Sequence, residues 1–217
     1  MKEPGVKQVV FLAGIALAFI ATLVGGVAIF NKAKPVTATP SPNGDMASMH
    51  APPPAADDAK FKSLLGNPAP EFNLQSYNGK NFDLASFKGK NVVLFFSEGA
   101  MCYPSCWDQV NEFTKDIKKF DDKNAVVVTV VVDSKSDWSE AVKKDSKLAS
   151  ATVLLDVDKK VSQSYGVLTV DSSMHRGQFP GHTYVIIDKE GVVRYEYDDS
   201  QMGIRNYELL SELNKII

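Results

Sequence analysis

The chain is poor in the residues that mark several large functional classes. It holds two cysteines, three histidines and two tryptophans in 217 residues. Two cysteines cannot build a disulfide scaffold for a chain of this length, so what they contribute rests on their reactivity. Charge of one sign is not in excess either: 24 Lys and Arg stand against 26 Asp and Glu, a net charge of -2, and the lysines are scattered among acids. A nucleic acid or other polyanion is therefore not expected as a partner. A phosphate loop, an H-E-x-x-H pair and a Ser-His-Asp order are also missing, so nucleotide enzymes and hydrolases find no support. Apolar residues, by contrast, reach 44%, enough for an ordinary core.

The chain divides into a short tail, residues 1–8, and three further parts. Residues 9–30, "VVFLAGIALAFIATLVGGVAIF", carry no charge and are long enough to cross roughly 30 Å of hydrocarbon as a helix. They read as one uncleaved transmembrane anchor, because the run exceeds the apolar region of a signal peptide and no A-x-A-like site follows. Lys2 and Lys7 before the span are matched by Lys32 and Lys34 after it, so charge does not set the orientation. Residues 31–60 are a Pro/Ala-rich flexible, disordered linker. It contains Met46, Met49 and His50, soft ligands of a kind that hold copper, although such residues also occur in plain linkers. Residues 61–217 are the globular part.

That part alternates. "NVVLFF" (91–96), "AVVVTVVVDS" (125–134) and "TVLLD" (152–156) are apolar runs suited to buried strands. Between Pro104 and Phe120, Val110, Phe113, Ile117 and Phe120 recur at helical spacing. Asp137 to Leu148 and Lys159 to Val167 read as helices, "TYVIIDKEGVVRYEY" (183–197) as two strands about a turn, and Arg205 to Ile217 as a closing amphipathic helix. The order predicts an α/β sheet with helices on both faces.

Both cysteines fall in "EGAMCYPSCWDQ" (98–109), four positions apart, directly after a buried strand and at the start of the first long helix. The carboxyl end of a central strand is where ligands collect in such sheets. A helix N-terminus favours thiolate over thiol. Residues four apart on a helical face are neighbours, and Pro104 suits a first turn that needs no N–H from it. A purely structural bridge is unattractive, since so short a loop removes little chain entropy. A redox pair and a pair of metal ligands remain. Trp107 either covers the thiols or packs in the core. Glu98 is either a proton acceptor near a thiol or a solvated loop residue. Asp133, Asp156 and Asp188 end strands and are placed to cap turns or helices.

The segments "GNPAPEFNLQSYNGKNFDLASFKGKNVVLFF", "VVVTVVVDS", "LLDVDKKVSQSYGV" and "GHTYVIIDKEGVV" together resemble the thioredoxin-fold superfamily over about residues 65–217. The resemblance is strongest to its peroxiredoxin (AhpC/TSA) and membrane-anchored thiol–disulfide oxidoreductase branches. It implies a thioredoxin-like fold, a central mixed β-sheet flanked by helices. It also implies a redox-active disulfide between Cys102 and Cys106, the catalytic residues, with no cofactor. His182, Trp107, Pro104 and Glu98 would be the supporting residues. The site departs from the family pattern: P-x-x-x-T-x-x-C is absent, with Gly99 and Tyr103 at the positions before Cys106, and His182 stands where a peroxiredoxin arginine is expected. The C-x-x-x-C spacing is similar to that of Sco-type copper chaperones, which implies an alternative copper site of Cys102, Cys106 and either His182 or His175. Neither histidine has the spacing of that family. The expected function is a membrane-anchored thiol-dependent oxidoreductase, its redox domain outside the cytoplasm, acting on peroxide or a protein disulfide. With no third cysteine, its electron donor is another protein or a small thiol. His182 is expected to act on the cysteines as an imidazolium.

Overall fold

A computed structural model describes residues 54–216. The expected tail, the anchor over 9–30, most of the linker and the Met46/Met49/His50 cluster lie outside the described residues. Among the described residues no helix is long and apolar enough to cross a membrane.

Five strands form one mixed sheet in the order β5-β4-β3-β6-β7. The three apolar runs are β3 (Asn91–Phe96), β4 (Ala125–Val131) and β5 (Val153–Leu155), paired in parallel. Every residue of β3 is buried, which is why the run lacks the polar alternation of a half-exposed strand. β6 (Thr183–Ile187) joins β3 antiparallel, and β7 (Val193–Asp198) returns beside it. The turn between them closes at Gly191, whose φ of +88° suits a residue without Cβ. A separate two-stranded ribbon, β1 (Asn73–Gln75) with β2 (Asn81–Asp83), precedes the sheet. β1 was not predicted, because "NLQ" is too short and too polar to announce itself.

Alternation along β3 divides the core. Val93 and Phe95 face one layer, with Trp107, Val110 and Phe113 of α2 (Ser105–Asp121), Trp138 of α3 (Lys135–Lys144) and Leu209 of α5 (Asn206–Lys215). Val92, Leu94 and Phe96 face the other, with Phe61 of α1 (Ala59–Lys62) and Val161 and Tyr165 of α4 (Lys160–Tyr165). Helices therefore cover both faces. Two boundaries differ from expectation. α3 starts at Lys135 because Ser134 and Asp137 close a capping box, and it stops at Lys144 because Asp145 is extended and caps a 3-10 turn over Ser146–Ser150 instead. Ile117, expected in the core stripe of α2, is 39% exposed.

Pairing decides what meets at the functional edge. β3 and β6 run antiparallel with Phe96 opposite Thr183, so the end of β3 and the beginning of β6 share one rim. β4, parallel to β3, ends there too. Residues far apart in sequence are thereby delivered to the start of α2.

Candidate active site

β3 runs into Ser97 and Glu98, then a 3-10 turn over Gly99–Met101, then Cys102, Tyr103 and Pro104, which N-caps α2. Cys102 and Cys106 are disulfide-bonded with Cα atoms 5.4 Å apart. Cys106 lies in the first turn of α2, and Cys102 lies just outside it, its carbonyl accepting the Cys106 N–H at 3.0 Å. The Tyr103–Pro104 bond is cis. Trp107 is buried in the core layer beside both cysteines, and its Nε1–H donates to Gly99 O at 3.3 Å. It both packs and braces the loop.

His182, immediately before β6, is 1% exposed and packs edge-on against Phe95. Its Nδ1 lies 3.5 Å from Cys106 Sγ, and its Nε2 lies 2.8 Å from the Tyr184 hydroxyl. The hydrogen-bond pattern assigns the tautomer. Gln109 Oε1 accepts the Arg205 N–H, so it is an oxygen acceptor; Gly203 O is another, and both lie within reach of the Tyr184 hydroxyl at 2.9 and 3.1 Å. The single hydroxyl proton of Tyr184 goes to one of these two, and its lone pair accepts from His182 Nε2–H. Nδ1 is then unprotonated and faces the sulfur of Cys106. Burial pushes His182 down to about 4, so the ring is neutral. In this disulfide form a charge with no carboxylate in contact is costly at this depth; the expected imidazolium concerns the dithiol form, where a thiolate would face the ring.

A family model for the AhpC/TSA family matches residues 65–196. The chain belongs to the AhpC/TSA family. A chloroplastic peroxiredoxin Q of Suaeda salsa is 34% identical over 134 residues, which is 62% of this chain and 59% of the relative. A chloroplastic peroxiredoxin Q of Sedum lineare is 34% identical over 138 residues, 64% of this chain and 70% of the relative. The chain spans about three fifths of the length of the first curated relatives it matches. Among solved structures, the mitochondrial 2-Cys peroxiredoxin from Plasmodium falciparum superposes with a TM-score of 0.58 at 30% identity, covering 70% of this chain and 94% of that one. The reduced 2-Cys peroxiredoxin of Plasmodium vivax gives 0.60 at 26% identity, covering 70% and 96%.

Within this AhpC/TSA domain the remaining predicted residues fall into place. Glu98 is not a solvated loop residue: it is 1% exposed and accepts from Met174 N–H at 2.7 Å and His175 N–H at 3.0 Å, with His175 Nδ1 at 2.9 Å. Its carboxylate is taken up by the 171–179 loop rather than by a cysteine. His175 is half-exposed and paired with Glu98, so of the two histidines only His182 reaches the cysteines. Cys102, Cys106 and His182 bring their donor atoms within 4.8 Å of one another; these are the residues able to hold a metal once the disulfide is open.

Two contributors, Tyr184 and Gln109, escaped the sequence reading, whereas Asp133 accepts from a turn residue as expected. Tyr184 is two residues beyond His182 on the same strand face, and Gln109 is three beyond Cys106 on the same helical face; those spacings were the available signals. Asp133, at the end of β4, accepts the Ala100 N–H at 3.0 Å and so ties the cysteine loop to the neighbouring strand. Desolvation raises its carboxyl to about 6, with the Ala100 hydrogen bond opposing and the Asp137 charge adding. The folded protein therefore holds this proton up to about pH 6, whereas the unfolded chain loses it near 4. Stability contributed by the protonated form is complete below about pH 4 and is lost as pH rises through about 6, a fall of at most about 3 kcal/mol. Asp133→Asn, which keeps an oxygen for Ala100, should flatten that fall and raise the midpoint at pH 7.5 in thermal unfolding measured across pH.

Gly99 is the second lever on this loop. Its φ is +65°, and an added Cβ would overlap Asp133 Oδ2. Gly99→Ala should cost about 2 kcal/mol or more in denaturant unfolding, from left-handed strain together with the displaced carboxylate.

Proposed function

We propose that this chain is a thiol-dependent peroxidase in which Cys106 attacks and Cys102 resolves. The observation that carries the reading is the bare Nδ1 of His182 against Cys106 Sγ, at the first turn of α2, with Cys102 already bonded to that sulfur. In the reduced site the Cys106 proton passes to His182 Nδ1, and the helix N-terminus favours the thiolate. The thiolate takes the terminal oxygen of a hydroperoxide as the O–O bond breaks. Cys106 becomes a sulfenic acid, and the alcohol, or water from hydrogen peroxide, leaves with the proton from His182. The Cys102 thiol attacks that sulfur, the disulfide forms and water departs. A dithiol donor then returns two electrons and two protons by exchange.

The donor's attack falls on Cys102. Cys102 is the less deeply buried residue of the two, 4% exposed against 1%, and its neighbours Met101 and Tyr103 are exposed, giving a partner protein apolar surface to touch. Attack there releases Cys106 as the leaving thiolate, at the helix terminus. Peroxide as substrate is supported by the peroxiredoxin relatives. The departures at Gly99, Tyr103 and His182 leave peroxide activation to the helix terminus and a neutral base, without a guanidinium. The uncharged run over residues 9–30 supports a single membrane anchor, with the redox domain on the side of the membrane where a dithiol donor regenerates it.

The test is dithiothreitol-dependent peroxide consumption by the full chain. One peroxide should disappear per dithiothreitol oxidised, and a Cys102→Ser/Cys106→Ser double variant should match the uncatalysed rate. A full chain no faster than that double variant would refute the reading.

A further inference from the structure

The Cys102 loop separates two recesses of opposite charge. On one side Ala100, Tyr103 and Trp107 face Lys144, Asp145 and Lys147, where α3 ends and the 3-10 turn over Ser146–Ser150 follows, around an open recess of about 570 Å³. On the other side Met101 and Phe179 stand with Asp133 and Asp137 around about 400 Å³. The first recess is wide enough for a short stretch of another chain. Tyr103, exposed and edge-on to Trp107 at 5.1 Å, gives it an aromatic wall. Its two ammonium groups are unmatched: Lys143 is paired with Glu140 at 2.6 Å, but among the described residues no carboxylate lies within ion-pair distance of Lys144 or Lys147. Asp145 shares the wall, yet both its oxygens are occupied within the protein. Asn111 Nδ2–H donates to one at 2.7 Å and the Lys147 backbone N–H to the other at 3.1 Å.

We propose that the Lys144/Lys147 recess is the docking site of the dithiol donor, and that this donor is a protein with acidic side chains beside its attacking cysteine. The proposal rests on the reading above, in which the donor attacks Cys102. Tyr103 adjoins Cys102 and walls the recess, so a segment that brings its thiolate to Cys102 lays its neighbouring residues between Tyr103 and the two lysines. On the far side Asp133 and Asp137 disfavour a second acidic flank, which sets the direction in which the donor crosses the loop. Opposite charges raise the association rate, and salt screens the effect. The donor thiolate bonds to Cys102 Sγ as the S–S bond breaks and Cys106 leaves as a thiolate. The donor's second thiolate then attacks its own first sulfur and frees Cys102. Two electrons and two protons pass to the chain, and the donor departs as a disulfide.

The experiment follows reduction of the full chain's disulfide, without peroxide, by three synthetic C-x-x-C peptide dithiols flanked by glutamates, serines or lysines. Each rate is divided by the same peptide's rate with a small uncharged disulfide, which removes differences in thiol reactivity. At low salt the glutamate peptide should be about fivefold faster than the serine peptide, and the lysine peptide slower still. Salt at about 0.5 M should remove most of that spread. A Lys144→Glu/Lys147→Glu variant should reverse the order. Equal ratios for the three peptides at low salt, or an order unchanged in the charge-reversed variant, would overturn the proposal. Should that variant not fold, the unaltered chain decides, since a preference that persists at about 0.5 M salt is not the work of the lysines. Peroxide consumption with dithiothreitol is measured separately. A chain that consumes peroxide but shows no charge preference refutes this proposal alone, and one that prefers the acidic peptide but consumes no peroxide refutes the peroxidase reading alone.

Discussion

Cys106→Ser should abolish reaction with peroxide, while Cys102→Ser should let Cys106 react once and stop. The difference follows from what surrounds each sulfur. Cys106 has a base 3.5 Å away and sits in the first turn of a 17-residue helix, where unpaired N–H groups stabilise negative charge. Cys102 lies outside the helix, and no titratable side chain is hydrogen-bonded to it among the described residues. In the Cys102→Ser variant the sulfenic acid on Cys106 has no partner thiol, so a sulfenate-specific probe should label it close to one per chain after one equivalent of peroxide. In Cys106→Ser the same probe should label nothing. The reverse labelling would assign attack to Cys102 and make His182 a neighbour of the resolving thiol.

His182→Ala should lower the second-order rate constant for peroxide by about 100-fold or more at neutral pH, the scale of a lost general base. The imidazole is neutral in the oxidised site because it is buried beside Phe95 with no carboxylate in contact, so in the proposed mechanism its bare Nδ1 would accept the Cys106 proton once the disulfide is open. Tyr184→Phe removes only the hydroxyl that holds Nε2–H and frees the ring to place a proton on Nδ1. Its effect should be in the same direction and smaller, since a fraction of the rings still presents a bare Nδ1. Stopped-flow oxidation followed by Trp107 fluorescence checks both. A rate unchanged in His182→Ala would remove the base from the mechanism and leave the helix terminus to act by itself.

How much of this was legible depended on distance along the chain. The three buried strands, the helix after the cysteines and the closing hairpin could be read because each is set by a local pattern: continuous apolar residues for a strand covered on both faces, a 3.6-residue period for α2, a turn at Lys189–Gly191 for the return. The cysteine pair was legible for the same reason, since four residues across a strand-to-helix junction bring two sulfurs together whatever the rest of the fold does. Glu98 was misread because a glutamate after a strand ordinarily points into water; only the 171–179 loop, 76 residues away, supplies the N–H groups that permit its burial.

By itself, then, the sequence determined the class of fold, the position of the reactive pair at a helix N-terminus and the balance of charge that leaves polyanions aside. Tertiary structure alone decided the contacts of the histidine at the site, its charge in the disulfide form and its tautomer. The resemblance names His182, while His175, seven positions earlier in the same connection between α4 and β6, enters only through the copper alternative. The antiparallel register of β6 on β3 sets Thr183 opposite Phe96 and so puts His182 above Cys106, while Glu98 draws His175 outward. Neutrality comes from burial, and the bare Nδ1 from Tyr184 meeting Gln109 and Gly203, groups contributed by three separate elements. A proton's position depends on all of its neighbours at once, and those neighbours assemble only when the sheet, α2 and the 199–205 loop close on one another.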